Sequence, residues 1–252
     1  MFKQVAVGFM VLMGTFAAQA QEVSTEARIL EALSKARPDF EFSDVRPSPI
    51  EGLYQANVVG GPVLYVSPDA DLMIAGEMFT VGPNGFGRYE DPLVVERRKE
   101  LAATLGDKDS IAFAPEGESK AVVYVFTDVD CGFCRRLHSQ MHSYQDGGET
   151  KPGYNDLGIE IRYLAYPRAG VNSPSAQKLE TAWCSEDRQS VMDRLKNLQS
   201  VDNKDCDNNP VAEHYRLGGE FGVNGTPALV LPNGSVQPGY VPPEQLAQTL
   251  GL

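Results

Sequence analysis

Cys131-Gly-Phe-Cys134 sets two thiols at a strand-to-helix junction, after the apolar run 121–126 and before a helix expected over residues 135–144. Two cysteines separated by two residues in that setting can gain and lose a disulfide reversibly. A helix N-terminus favours a thiolate on the first sulfur, and the thiolate is the species that attacks disulfides. Arg135 and Arg136 add positive charge within one turn, while Asp128 and Asp130 oppose it. The spacing therefore names thiol–disulfide exchange, with Cys131 as the exposed nucleophile.

Other uses of a Cys-x-x-Cys pair fit less well. Haem attachment needs His after the second cysteine, and Arg135 stands there. A structural zinc site needs a second ligand pair. Cys184 and Cys206 form no short couple, and His138 and His142 read as residues on a helix surface. No metal and no cofactor are expected. A second element strengthens the redox reading: Gly225-Thr226-Pro227 stands directly before the strand-like run 228–231. Proline at the start of a strand donates no ladder bond. A cis Thr226–Pro227 bond would present the Thr226 amide and carbonyl to an extended bound chain. Beside the cysteine pair, cis is the expected geometry.

The positioning elements follow from periodicity. Residues 24–36 read as an amphipathic helix capped by Ser24, with Ile29, Leu30 and Leu33 on one face. Strand-like pieces follow at 40–45, 53–59, 63–66 and 72–81, with turns at Gly60-Gly61 and Pro68-Asp69. This unit of about 60 residues is near the lower size limit for an independent core. Asn84-Gly85 opens a polar stretch. Residues 92–105 read as a helix with Pro92 at its start and a charged, solvated middle, a linker between two units. From Ile111 onward the character is α/β: strands at 121–127, 159–165, 228–231 and 235–240, helices at 176–198 and 214–221, and a last helix from Pro242-Pro243.

Composition places the chain in a compartment. Residues 1–20 carry Lys3, an apolar stretch too short for a comfortable span, and Ala18-Gln19-Ala20 before a polar start. That reads as a cleaved signal peptide, the alternative being an uncleaved membrane anchor, and a soluble protein in an oxidising space, the bacterial periplasm, is expected. All four cysteines lie after it. Four cysteines allow three pairings. The close pair most naturally closes on itself, leaving Cys184 and Cys206, 22 positions apart. Such a loop stabilises a fold by roughly 3 kcal/mol. The net charge of −12 argues against nucleic acid as a partner.

Taken together, Phe126-Thr-Asp128, Cys131-Gly-Phe-Cys134, Tyr163-Leu-Ala-Tyr-Pro167, Trp183-Cys184, Gly222-Val-Asn-Gly-Thr-Pro-Ala228 and Pro238-Gly-Tyr240 resemble the bacterial periplasmic DsbC/DsbG disulfide isomerase family. Residues 61–67 and 74–81 are similar to it as well. The resemblance implies an α+β protein: a thioredoxin-like catalytic domain with a helical insertion, and a small cystatin-like N-terminal dimerisation domain joined by a linker helix. It implies a V-shaped homodimer whose cleft holds unfolded clients. The corresponding segments are 1–20 (signal peptide), 21–90 (dimerisation), 91–107 (linker helix) and 108–252 (catalysis).

By position, Cys131 matches the family's attacking cysteine and Cys134 its resolving one. Thr226 and Pro227 match its client-binding loop, and Cys184 and Cys206 its second, structural disulfide. The implied activity is isomerisation of wrong disulfides in secreted proteins, with chaperone behaviour. The implied partners are misfolded disulfide-containing clients, a second copy of the chain, and a membrane electron donor of the DsbD type. A dithiol oxidase or reductase on the same fold, and a non-enzymatic holdase, are the alternatives. Two departures are visible: Arg135 stands where a histidine often follows the second cysteine, and residues 146–155 form an extra polar loop.

Overall fold

The computed structural model describes residues 24–58, 62–83, 85–106 and 109–252. The expected signal peptide and the Gly60-Gly61 turn lie outside the described residues. Helix α1 (Thr25–Ala36) begins where Ser24 Oγ accepts the Ala27 N–H at 3.2 Å. Ile29 is buried and Leu33 half-buried, but Leu30 faces outward, so the apolar face is narrower than its sequence suggests. Strands β1 (Phe42–Pro47), β2 (Tyr54–Val58), β3 (Val63–Val66) and β4 (Met73–Ala75) form an antiparallel sheet in that order. Its small core is Ile29, Ala56, Leu64 and Val66.

The strand expected over 72–81 is two strands in two sheets. β4 closes the first sheet, and β5 (Phe79–Gly82) pairs instead with β6 (Gly85–Arg88), inside the stretch expected to be merely polar. The break falls at residues 76–78, where Gly76 weakens strand propensity. Helix α2 (Pro92–Thr104) follows, with Asp91 Oδ1 accepting the Leu93 N–H at 2.9 Å. It has no buried residue. It is nonetheless tied to the following unit: Arg98 pairs with Glu90 at 3.0 Å, Glu90 accepts the Val236 N–H at 3.3 Å, and Leu101 and Ala102 pack on the second core.

The larger unit runs β7 (Ile111–Phe113), β8 (Ala121–Thr127), α3 (Gly132–His138), β9 (Tyr144–Asp146), β10 (Glu149–Lys151), β11 (Ile159–Ala165), α4 (Pro174–Trp183), α5 (Arg188–Lys196), α6 (Val211–Glu220), β12 (Ala228–Val230), β13 (Val236–Pro238) and α7 (Pro243–Leu250). Its sheet has the order β13-β12-β8-β11-β7, with β8 parallel to β11 and antiparallel to β12. Alternation along β8 explains the unbroken apolar run. Val123 and Val125 join the core under α3, α4, α5 and α7, while Tyr124 and Phe126 join the core under α6. A strand covered on both faces has no polar alternation.

Three expected boundaries move. The helix expected over 135–144 stops at His138, and the chain turns with the Gln140 N–H on the Leu137 carbonyl at 3.1 Å. The polar loop 146–155 begins inside a β9–β10 hairpin turned by Gly147 and Gly148, both at positive φ, the geometry such a turn needs. The helix expected over 176–198 is two: α4 ends at Trp183, and Asp187 Oδ1 restarts α5 by accepting the Ser190 N–H at 2.9 Å.

Candidate active site

The C-terminal end of β8 delivers the chain to Asp128, whose buried carboxylate holds the following turn. Asp128 Oδ1 accepts the Asp130 N–H at 2.8 Å, and Oδ2 accepts the Arg168 N–H at 2.9 Å and the Arg168 Nε–H at 3.4 Å. The Asp128 carbonyl accepts the Cys131 N–H at 3.3 Å. Cys131 caps α3, and its Sγ accepts the Cys134 N–H at 3.4 Å. On the other side, Cys131 Sγ lies 3.2 Å from the Thr226 carbonyl, to which its protonated form donates. The Thr226–Pro227 bond is cis.

Cys131 and Cys134 are both free thiols, and both are buried, at 2% and 1% exposure. This corrects the expectation of an exposed nucleophile. The Thr226 carbonyl abuts the Cys131 sulfur, while the two residues between the cysteines, Gly132 and Phe133, stand exposed.

The two sulfurs ionise very differently. Cys131 is pulled down to about 5, first by the hydrogen bond from Cys134 to its thiolate. Burial opposes this, and the Thr226 side chain, the Cys134 N–H and the Arg168 charge assist it. Cys134 is pushed up, chiefly by burial and by donating to Cys131. At neutral pH the pair is one thiolate held by one thiol, and a thiolate is the attacking species.

Beside the cis loop lies a cleft of about 310 Å³, lined by Glu77 ahead of β5, by Arg88 of β6, by Arg98 and by Asn224, Thr226 and Pro238. A larger cleft of about 540 Å³ lies between Arg136, the β9–β10 hairpin and α7, and neither cysteine lines it.

Residues 107–252 match the family described as a thioredoxin-like domain, and residues 16–85 match the disulfide bond isomerase protein N-terminal domain. The thiol:disulfide interchange protein DsbC of Escherichia coli K12 is 34% identical over 96% of this chain and 94% of its own length. DsbC of Dickeya dadantii is 35% identical over 89% of this chain and 86% of its own. This chain belongs to the DsbC family of thiol:disulfide interchange proteins. A crystal structure of a disulfide interchange protein from Neisseria gonorrhoeae is 34% identical, covers 57% of this chain and 97% of its own, and aligns with a TM-score of 0.46. Family membership rests on the sequence relatives. The DsbC family assignment makes the protein a disulfide oxidoreductase with a thioredoxin-like domain.

The remaining site residues of this DsbC-family chain lie apart from the sulfurs. Cys184 and Cys206 form a disulfide with Cα atoms 5.6 Å apart, linking the end of α4 to the segment before α6. His142 is exposed and lies past the end of α3. His138 is not on a helix surface: it is buried, with Nε2 2.9 Å from Asp193 Oδ1 and Nδ1 3.2 Å from the Tyr163 hydroxyl. The shortened α3 turns it toward α5 and β11.

Sequence reasoning passed over Arg168 and Lys196. Arg168 is invisible locally, because its partner Asp128 is 40 positions away. Lys196 had a signal. It lies four residues after the buried Met192, on the stripe that α5 turns inward.

Proposed function

We propose that this DsbC-family protein is a periplasmic disulfide isomerase that reshuffles wrong disulfides in secreted proteins. The observation that carries the reading is the free Cys131–Cys134 pair at the start of α3, set against the cis Thr226–Pro227 loop, with Cys131 lowered by its bond from Cys134. The Cys131 thiolate attacks one sulfur of a client disulfide. A Cys131–client bond forms, the client S–S bond breaks, and the second client sulfur leaves as a thiolate. Another client thiolate then attacks the client sulfur of the mixed disulfide. A new client disulfide forms, Cys131 leaves as thiolate, and no net electrons move.

If no client thiol arrives, Cys134 loses its proton and attacks Cys131. The Cys131–Cys134 disulfide forms and the client leaves reduced. The oxidised pair then needs a dithiol reductant, and a membrane electron donor of the DsbD type fills that role. Thr226 and Pro227 hold the client's extended backbone beside the attacked sulfur. The Cys184–Cys206 bridge is structural, closing the helical insertion.

Residues 21–90 form the dimerisation domain, 91–107 the linker helix and 108–252 the catalytic domain. Support for self-association comes from the apolar surface of the small unit. Met73 and Ile74 on edge strand β4, with Phe79, Val81 and Phe86 on the hairpin, are all exposed. An apolar edge strand invites pairing, and a two-fold axis would satisfy it with a second copy. The space between two such arms would hold unfolded clients and give chaperone behaviour. The signal peptide in residues 1–20 delivers the protein to the periplasm.

Refolding of a scrambled disulfide substrate tests this directly. Wild type should restore activity, Cys131→Ser should not, and Cys134→Ser should accumulate covalent client adducts. Equal trapping by both variants would refute the assignment. Light scattering should give a dimer, and removal of residues 21–90 a monomer that keeps dithiol activity and loses most isomerase activity.

A further inference from the structure

Beneath the cysteine pair lies a charge that the exchange steps above leave unused. Lys196, the last residue of α5, is only 3% exposed. Its Nζ donates to Thr127 Oγ1 at 2.5 Å and to the Asp128 carbonyl at 3.2 Å, and lies 5.1 Å from the centre of the Tyr163 ring. Among the described residues, no carboxylate stands within ion-pair distance of it. A buried ammonium without an anion is costly, and real proteins resolve it by losing the proton or gaining a partner. The Asp128 carbonyl that accepts from Nζ also accepts the Cys131 N–H. The Asp128 backbone also favours the Cys134 anion. Lys196 and Cys134 thus flank one stretch of main chain, and both are buried.

We propose that Lys196 takes the proton from Cys134 in the resolving step. The inference rests on the reading of Cys131 as attacking sulfur and Cys134 as resolving sulfur. The step balances within the site. The Cys134 S–H bond breaks and its proton moves to the Lys196 amine. The resulting thiolate attacks Cys131 Sγ, the Cys131–Cys134 bond forms, and the client sulfur leaves with the electron pair of the mixed disulfide. The client disulfide has been reduced and the enzyme dithiol oxidised, with no further reactant. Lys196 then returns its proton to solvent, since the anion that stabilised it is gone.

The surrounding charges suit this role. Burial lowers Lys196 to about 8, against the opposing pull of Cys134, Asp128 and Cys131. The groups facing it are Asp128 from the turn, Cys131, Cys134, Arg135 and His138 from α3, and Tyr163 from β11. Asp193, on its own helix, is engaged by His138. When Cys131 enters a mixed disulfide its negative charge disappears. Lys196 then holds its proton less tightly, and the free amine appears at the moment a base is needed.

Glutathione disulfide serves as the probe. Acid-quenched mass spectrometry follows formation and decay of the glutathione adduct on Cys131. Absence of an adduct on Cys131 would defeat the attacking-sulfur reading itself. Given the adduct, Lys196→Met should slow its decay about 100-fold near pH 7.5, the size expected for a lost base. Lys196→Arg keeps the charge but accepts no proton, so it should be slowed alike. Adduct formation should change little in either. The wild-type decay rate should rise with pH and level off at or below about pH 8, whereas both variants should keep rising in proportion to hydroxide. Wild-type decay in Lys196→Met, or full rescue by Lys196→Arg, would overturn the proposal. If neither variant folds, the wild-type profile decides: a break at or below about pH 8 supports it, and an unbroken rise overturns it.

Discussion

Cys131 Sγ lies 3.2 Å from the Thr226 carbonyl oxygen, although the two residues are 95 positions apart. Sheet register makes the contact. β12 lies antiparallel on β8 with Ala228 opposite Phe126, so the residues just before β12 fall beside those just after β8. The Cys131 sulfur and the cis-proline loop are thereby placed at the ends of two adjacent strands of one sheet. That arrangement, with the paired thiols, sets the reactivity on which the following expectations rest.

Alkylation of Cys131 should show a midpoint near pH 5, well below the ordinary thiol value of about 8.5. The bond from Cys134 is the largest cause of the shift, so Cys134→Ala should raise the midpoint toward the ordinary value. Rates of iodoacetamide modification across pH measure both, and a midpoint near 8 in wild type would contradict the site description.

Arg168 contributes last among the causes acting on Cys131. Arg168→Gln should raise the alkylation midpoint by less than about one unit. The bond from its main-chain N–H to Asp128 persists, so the turn should stay in place. A drop in thermal stability of more than a few degrees would mean that the guanidinium does structural work as well.

Joint replacement of Cys184 and Cys206 by alanine should cost roughly 3 kcal/mol, because the bridge closes a 22-residue separation. Urea unfolding measures the loss. The Cys131 alkylation midpoint should not move, since the bridge appears among none of its causes.

His214 is buried, with Nδ1 accepting the Ala165 N–H at 3.2 Å, and burial lowers it to about 4. Its folded value lies below the unfolded value of about 6.5, so the unfolded chain takes the proton first. The stability from its neutral form is therefore complete above about pH 6.5 and is lost as pH falls through about 4. The loss is on the order of 3 kcal/mol. His214→Gln retains an acceptor but does not titrate, so urea midpoints between those pH values should flatten.

Gly234 sits at φ +86°, and a Cβ there would meet the Val95 carbonyl of α2 at 2.3 Å. Gly234→Ala should cost roughly 2 kcal/mol or more and loosen α2 from the larger unit. Faster proteolysis within α2 would register the loosening directly.

Local chemistry was legible wherever neighbours in sequence are neighbours in space. The Cys131–Cys134 spacing, the cap at Ser24, Pro92 at the start of α2 and the apolar runs of β8 and β11 depend on contacts within a few residues. Boundaries were legible less often. Nothing local distinguishes one helix over 176–198 from two helices broken where Asp187 restarts the chain. The division of 72–81 between two sheets depends on which partner each half finds.

From the residues alone came the reaction class, the close thiol pair and the cis proline loop, since thiol chemistry follows from residue type and spacing. The tertiary structure decided what surrounds those sulfurs. It buried Cys131 against Thr226, turned His138 inward to Asp193 and brought Arg168 and Lys196 to Asp128. Those contacts span 55 to 95 positions in two cases and 40 to 68 in the others. Ionisation depends on burial and on charges within a few ångströms, and only the folded sheet fixes either.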